Sequence, residues 1–160
     1  MIELILLLLL LDFISGFVHW AEDTFWHEST LFLGRWLVIP NESHHREPSI
    51  LVRKSWFQSS WDLLLAGLVI LGGAILLEEL TWQLCIFVLV GINANQIHKW
   101  NHSPLDRVPK VIVFLQKIRL LQNQRDHLIH HSGEKNTAYC IITPFVNPII
   151  DRLGFFKSLD

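Results

Sequence analysis

Residues 2–20 form an almost unbroken apolar run, leucine-rich from Leu4 to Leu11, continued by Phe13-Ile14 and Phe17-Val18, and ending on His19-Trp20. Read as a helix, such a run crosses ~30 Å of hydrocarbon. That constrains the rest of the chain, because inside a bilayer the backbone must satisfy its own hydrogen bonds and a helix does so within one segment. A cleaved signal peptide is the alternative. Against it, Glu3 but no Lys or Arg stands in the leading segment, and no small-x-small cleavage pattern follows.

Two further apolar stretches follow, over 62–77 and 81–97. The first contains Gly67, Gly72 and Gly73, small residues that let helices approach closely. The acidic pair Glu78-Glu79 turns the chain between them. With hydrophobic residues at 51%, charged residues at 18% and mean hydropathy of +0.34, a membrane protein is the expected class. The sequence thus predicts an all-α integral membrane protein: one domain over 1–160, with spans at about 2–20, 62–77 and 81–97. Apolar and basic residues mix from about 109 to 131, as expected of an interfacial helix.

Asn93, Asn95 and Gln96 are expected to face protein or water. Pro40 and Pro48 bracket His44-His45, which places that pair on a loop or a short helix start. The Pro-broken apolar tail from Tyr139 to Phe156 is expected on the membrane or closing a site. A net charge of −2 argues against nucleic acid as a partner. Cys85 and Cys140 have neither metal-site nor disulfide-framework spacing.

With three spans, all nine histidines fall on one side of the membrane. All 13 Lys and Arg, from Arg35 to Lys157, fall on that same side. The positive-inside rule then places the histidines in the cytosol, in a bacterial inner membrane or an endoplasmic reticulum membrane.

The histidines are grouped. His127, His130 and His131 stand at i, i+3 and i+4, one face of a helix. His98 and His102 repeat the i, i+4 spacing after the third span, and His19 with Asp23 does so after the first. His44-His45 is a fourth contribution, while His27, four residues after Asp23, reads as a surface residue or an orienting partner. Neutral imidazole is the commonest ligand for intermediate metals. Eight histidines and one carboxylate suit two metals better than one. The nitrogen-rich set disfavours Mg or Ca, and the absence of cysteine from the clusters disfavours structural zinc. A pair of non-haem irons at a membrane face points to oxygen activation and attack on a lipid C–H bond. Desaturation and hydroxylation both remain open, as does a non-catalytic metal-binding membrane scaffold. A metal transporter would need ligands within the spans and fits poorly.

These motifs resemble those of the Kua-type lipid desaturases. Asp12-Phe-Ile-Ser-Gly-Phe-Val-His-Trp-Ala-Glu-Asp-Thr24, Ser43-His-His-Arg-Glu-Pro48, Gln96-Ile-His-Lys-Trp-Asn-His102, His127-x-x-His-His131 and the Tyr139 to Phe155 tail match in order. The resemblance implies an integral membrane desaturase with two non-haem Fe ions, which zinc can replace in purified protein. It implies His19, Asp23, His44, His45, His98, His102, His127, His130 and His131 as ligands. It further implies a membrane lipid substrate and an electron donor such as cytochrome b5 or ferredoxin with its reductase. Conversion of plasmanyl to plasmenyl (vinyl ether) lipid is the best-matched reaction, and acyl-lipid desaturation the alternative. The chain departs from the family pattern over Ser49–Gln58 and at Thr143-Pro144-Phe145, segments expected near the headgroup or the acyl chain.

Overall fold

In the computed structural model, which describes residues 2–132 and 136–159, every regular element among those residues is helical. The opening run is α1 (Ile2–Trp20), and it passes directly into a π-helical turn, Ala21–Phe25. The combined helix Ile2–Phe25 and α4 (Trp56–Leu76) are both long and apolar enough to cross a membrane. Only 22% of the apolar window of each is buried within the protein. Most of their side chains therefore face outward, where a soluble core helix would face in.

Helix α4 starts at Trp56, earlier than the 62 expected from hydropathy. Ser55 Oγ accepts the Gln58 N–H at 3.2 Å and Gln58 Oε1 accepts the Ser55 N–H at 2.8 Å. This reciprocal capping box fixes the helix start in the polar segment ahead of the apolar one. Deeper in α4, a Cβ at Gly67 would lie 2.8 Å from Ile92 Cγ2 and 2.9 Å from Val88 Cγ1. Glycine there sets how closely the neighbouring helix approaches.

The stretch expected to be one span over 81–97 is two helices, α5 (Trp82–Gly91) and α6 (Ala94–His102). Asn93 causes the break. In a continuous helix its amide would donate to the Leu89 carbonyl. Instead its side-chain Nδ2 takes that carbonyl at 2.8 Å, and the amide turns to Val90 O at 3.1 Å. Trp56 Nε1 donates to Asn93 Oδ1 at 2.9 Å and Asn95 donates to the Ser59 carbonyl, anchoring the break on α4. The Asn residues thus face protein.

The polar segment between α1 and α4 is also helical. A second π-helical turn, Gly34–Val38, leads into α2 (Ile39–Arg46), and α3 (Ser49–Arg53) follows. Pro40 stands where the π-helical turn passes directly into α2, at the junction between the two helical geometries. His44 and His45 consequently occupy the last turn of a helix, not a loop.

The interfacial helix expected over 109–131 is likewise divided, into α7 (Lys110–Lys117) and α8 (Gln124–Ser132), with Arg119 at φ 64° in the turn between. The turn carries Gln122 inward. Its side chain is fully buried, its Nε2 donates to the Cys140 carbonyl at 2.8 Å, and its N–H donates to the Ile142 carbonyl at 2.8 Å. Asn101 Nδ2 donates to Gln122 Oε1 at 3.0 Å, and Gln116 Nε2 donates to Asn101 Oδ1 at 3.2 Å. Three buried amides therefore join α6, α7 and the tail.

That tail closes the structure. Ala138 to Thr143 is buried throughout and runs antiparallel to α1. His19 Nδ1 lies 3.2 Å from the Tyr139 carbonyl. One turn back along α1, Gly16 faces Cys140, whose Sγ would be 2.5 Å from an added Cβ. One turn further, Asp12 accepts the amides of Ile142 and Thr143 at 2.9 and 3.0 Å and the Thr143 hydroxyl at 2.6 Å. Helix α9 (Val146–Arg152) and Phe156 then pack back over Trp20 and Tyr139.

Candidate metal centre

The four histidine-bearing segments meet at one end of the helices. Residues His44, His98, His102, His127 and His131 form one group whose ligand atoms all lie within 4.8 Å of one another; His19, Asp23, His45 and His130 form a second. Each of the nine residues singled out by spacing falls in one of the two. His27 falls in neither: it is exposed, and its amide donates to Thr30 Oγ1. Consecutive residues are divided between the groups, His44 from His45 and His130 from His131. The groups therefore adjoin, and the His19 ring of the second lies 5.5 Å from the His98 ring of the first.

Hydrogen bonding alone does not account for the first group. The Nε2 atoms of His98, His127 and His102 form a triangle, with sides of 2.9 Å (98–127), 2.9 Å (127–102) and 3.2 Å (102–98). Each nitrogen either carries a proton or presents a lone pair. Of three such atoms at least two share the same state, so one side of the triangle always sets like against like. His131 Nε2 adds a fourth nitrogen, 3.1 Å from that of His127. His44 Nε2 is buried with no hydrogen-bond partner among the described residues. Converging lone pairs of this kind fit a cation. Nitrogens about 2.0–2.1 Å from a first-row metal stand ~2.9 Å apart at right angles and ~3.4 Å apart at the tetrahedral angle. The observed spacing of 2.9–3.2 Å fits the crowded, higher-coordinate case better.

In the second group His45 Nε2 lies 3.2 Å from His19 Nε2 and 3.4 Å from His130 Nε2. Asp23 supplies the oxygens, Oδ1 at 3.2 Å from His45 Nε2 and Oδ2 at 3.4 Å from His130 Nε2. The π-helical turn after α1 carries Asp23 into this position, and Asn41 of α2 donates to its Oδ1. Two imidazoles are held in a single tautomer from behind. His19 Nδ1 donates to the Tyr139 carbonyl at 3.2 Å and His130 Nδ1 to the Thr137 carbonyl at 3.0 Å. Both Nε2 lone pairs are thereby turned toward the group.

Burial keeps the first group neutral. It is the largest cause of a lowered proton affinity at His44, His98, His102, His127 and His131, and neighbouring imidazoles lower it further. His102 is brought down to about 4 and His131 to about 3, so both present lone pairs at neutral pH.

A cavity of about 660 Å³ opens against this centre between α1, α4 and α5. His19, His44 and His98 form part of its wall. From there it extends past Leu11, Leu63, Gly67, Ile70 and Phe87; between Gln58 and Ile70 alone α4 rises about 18 Å at 1.5 Å per residue. At the histidine end it is also lined by Glu22, Arg35, Lys54 and Asp62. The carbonyls behind His19 and His130, Asn41, Gln122 and the Asp12 clamp were not identified as supporting residues by histidine spacing. Asn41 two residues ahead of the His44 motif, and Asp12 one turn ahead of Gly16 in an apolar run, were the available signals.

Comparison with known proteins gives a consistent picture. The lipid desaturase domain family model matches residues 8–160. Mouse plasmanylethanolamine desaturase 1 is 30% identical over 95% of this chain and 60% of its own length. The plasmanylethanolamine desaturase of Myxococcus xanthus is 30% identical over 93% of this chain and 55% of its own. Fatty acid desaturase 4 of Arabidopsis thaliana, a chloroplastic protein, is 28% identical over 95% of this chain and 48% of its own. The chain thus spans roughly half to three-fifths of the length of these relatives. No solved structure matches it. A helical chain with nine clustered metal-ligand candidates beside an apolar cavity, matched by that model over all but its first few residues, belongs to the lipid desaturase domain family.

Proposed function

We propose that this chain is a membrane lipid desaturase acting through a di-iron centre held by His44, His98, His102, His127 and His131 on one side and His19, Asp23, His45 and His130 on the other. The observation that carries the reading is the cavity: the histidines and four charged side chains share its lining with a mostly apolar wall. A lipid lying in it with its headgroup at the charged end presents the first carbons of a chain, not the middle, to the histidines. Desaturation of the 1′-alkyl chain of an ether phospholipid fits that placement, and the two plasmanylethanolamine desaturases among the relatives support it.

Two irons, when bound, supply the oxygen chemistry. In balance, two hydrogens leave adjacent carbons, and O2 accepts them with two electrons and two protons to give two waters. The electrons come from an external carrier such as cytochrome b5 or ferredoxin. The chain's own residues do the remaining work. Buried imidazoles offer neutral lone pairs, the carbonyls of Thr137 and Tyr139 hold two rings in orientation, and the walls lined by Leu63, Ile70 and Phe87 hold an alkyl chain and exclude water. The positive-inside pattern supports a cytosolic histidine face.

The test is lipid mass spectrometry of cells expressing the intact chain or His130→Ala, fed a labelled alkyl-ether phospholipid. The proposal expects a product two hydrogens lighter that releases an aldehyde in acid, from the intact chain only. Two hydrogens lost from an acyl chain would overturn the substrate, and oxygen gained would overturn the reaction in favour of hydroxylation. No lipid change with an electron donor supplied would leave a metal-binding membrane scaffold.

A further inference from the structure

We propose that Phe87 and Ile70 form the floor of an alkyl-chain channel, and that this floor selects the reacting lipid by the length of its chain. The assignment rests on the lipid-substrate reading above and adds the residues that measure the chain. From Leu63 onward along α4, and throughout α5, every residue lining the cavity is apolar or glycine. The register of the helices gives the depth, counted from the histidines. An added Cβ at Gly91 would lie 3.4 Å from Leu11 Cδ1, and Gln83 Nε2 donates to Glu3 Oε2 at 3.0 Å. Helix α5 therefore runs parallel to α1, and Phe87 lies about one turn deeper than Leu11. At 1.5 Å per residue Leu11 stands about 12 Å from His19 along α1, which puts Phe87 at about 18 Å. Ile70 reaches the same depth, about 18 Å from Gln58 along α4. An extended alkyl chain advances about 1.25 Å per carbon, so a chain of about 14 to 16 carbons, the first of them at the histidines, ends on this floor.

Beyond that level the helices close on one another. The Gln83–Glu3 hydrogen bond ties the start of α5 to the start of α1, and Ala74, one turn past Ile70 on α4, is buried. Phe87 is held from behind, packed against the buried cluster that contains Leu11, Ala94 and Ile141. On the histidine side of the floor, glycine keeps the passage open. Gly67 and Gly91 both line the cavity near the depth of Leu11, and a side chain longer than alanine's at Gly91 would share the space with Leu11. A lipid tail is already in hydrocarbon before it enters, so extra methylenes bring no hydrophobic gain from water. Packing decides instead. A chain that is too long must displace Phe87 or bend out between α1 and α4, where Ile14 and Ile70 are exposed. Overfilling a close-packed wall is unfavourable, and a chain that is too short leaves the floor without contacts.

The experiment measures competition for the metal-free protein in nanodiscs. A radiolabelled 16-carbon alkyl-ether phospholipid is displaced by unlabelled lipids with alkyl chains of 10, 14, 16 or 20 carbons, the headgroup and second chain held constant. Turnover of each lipid by the iron-loaded protein with an electron donor is read beside it. The intact protein should bind the 14- and 16-carbon lipids best and the 20-carbon lipid about tenfold more weakly, the scale of overfilling a packed wall. Phe87→Ala removes the ring from the floor and should bring the 20-carbon lipid to within about twofold of the 16-carbon one. Gly91→Leu obstructs the passage at the depth of Leu11 and should weaken the 16-carbon lipid about tenfold while the 10-carbon lipid binds as before. Iron bound per chain reports folding, and Phe87→Ala, which only removes atoms, decides the matter if Gly91→Leu loses iron. Equal binding of all four lengths by the intact protein overturns the floor and means that the tail leaves between α1 and α4, as does a profile unchanged in Phe87→Ala. Length-selective binding without turnover of any lipid would keep the floor and remove the desaturase reading. Turnover that ignores chain length would do the reverse.

Discussion

Asp12 bears the C-terminal tail on a single carboxylate. It is fully buried in the middle of α1 and accepts two backbone amides and one hydroxyl from Ile142 and Thr143. The same tail supplies the carbonyls behind His19 and His130. Asp12→Ala strands two buried N–H groups, each costing on the order of 1–3 kcal/mol, and should lower stability by about 3 kcal/mol. Thermal unfolding in detergent with iron per chain checks this, and both should fall, with Asp12→Asn intermediate because one acceptor oxygen survives. Unchanged iron content in Asp12→Ala would mean that the tail does not hold the histidines. At this scale the ligand candidates were legible because helical i, i+3 or i+4 spacing marks His127, His130 and His131, His98 and His102, and His19 with Asp23, and because His44-His45 is a consecutive pair. The residues behind them were not, since a backbone carbonyl leaves no mark in a sequence and an aspartate among leucines announces burial without naming its partner.

Elements were legible where apolar length alone decides them, as in α1, and blurred where side chains override the pattern. The third apolar stretch reads as one helix because nothing in hydropathy reveals that Asn93 captures the Leu89 carbonyl. The Ser55-x-x-Gln58 capping box, by contrast, was an available signal for the start of α4. The break has a consequence for the centre, because α6 carries His98 and His102 and its axis is set at Asn93. Asn93→Leu frees the Leu89 carbonyl for the amide of residue 93, favouring a continuous helix through this point. Helicity by circular dichroism should hold or rise while metal bound per chain falls, as the five-histidine group loses its register. Metal content retained with full turnover would show that the break does not position the histidines. The division of the expected 109–131 helix follows the same logic, with Gln122 drawn to the Cys140 carbonyl.

Across the whole molecule, five imidazoles in one group, three buried and two partly buried, couple folding to pH. The direction follows from which state holds more protons. Burial, then neighbouring positive charge, lowers the proton affinity of His44, His98, His102, His127 and His131 below the ordinary value of 6.5. Below pH 6.5 the unfolded chain takes up protons that the folded chain refuses, so stability rises with pH in that range and falls on acidification. The loss begins near 6.5 and, for His102 and His131, continues to about 4 and about 3, where the folded chain titrates as well. Above 6.5 these groups are neutral in both states and contribute no slope. Bound metal competes with the same protons, so the loaded protein should resist acid further than the metal-free one. Melting temperature of the metal-free protein in detergent, measured from pH 7.5 down to 4, should be level at first and then decline below about 6.5. Chelation of the loaded protein should reproduce that decline. A melting temperature that stays level to pH 4, or that rises on acidification, would mean that the histidines reach solvent in the metal-free state. The grouping of nine residues into two adjoining sets would then depend on the metal and not on the fold.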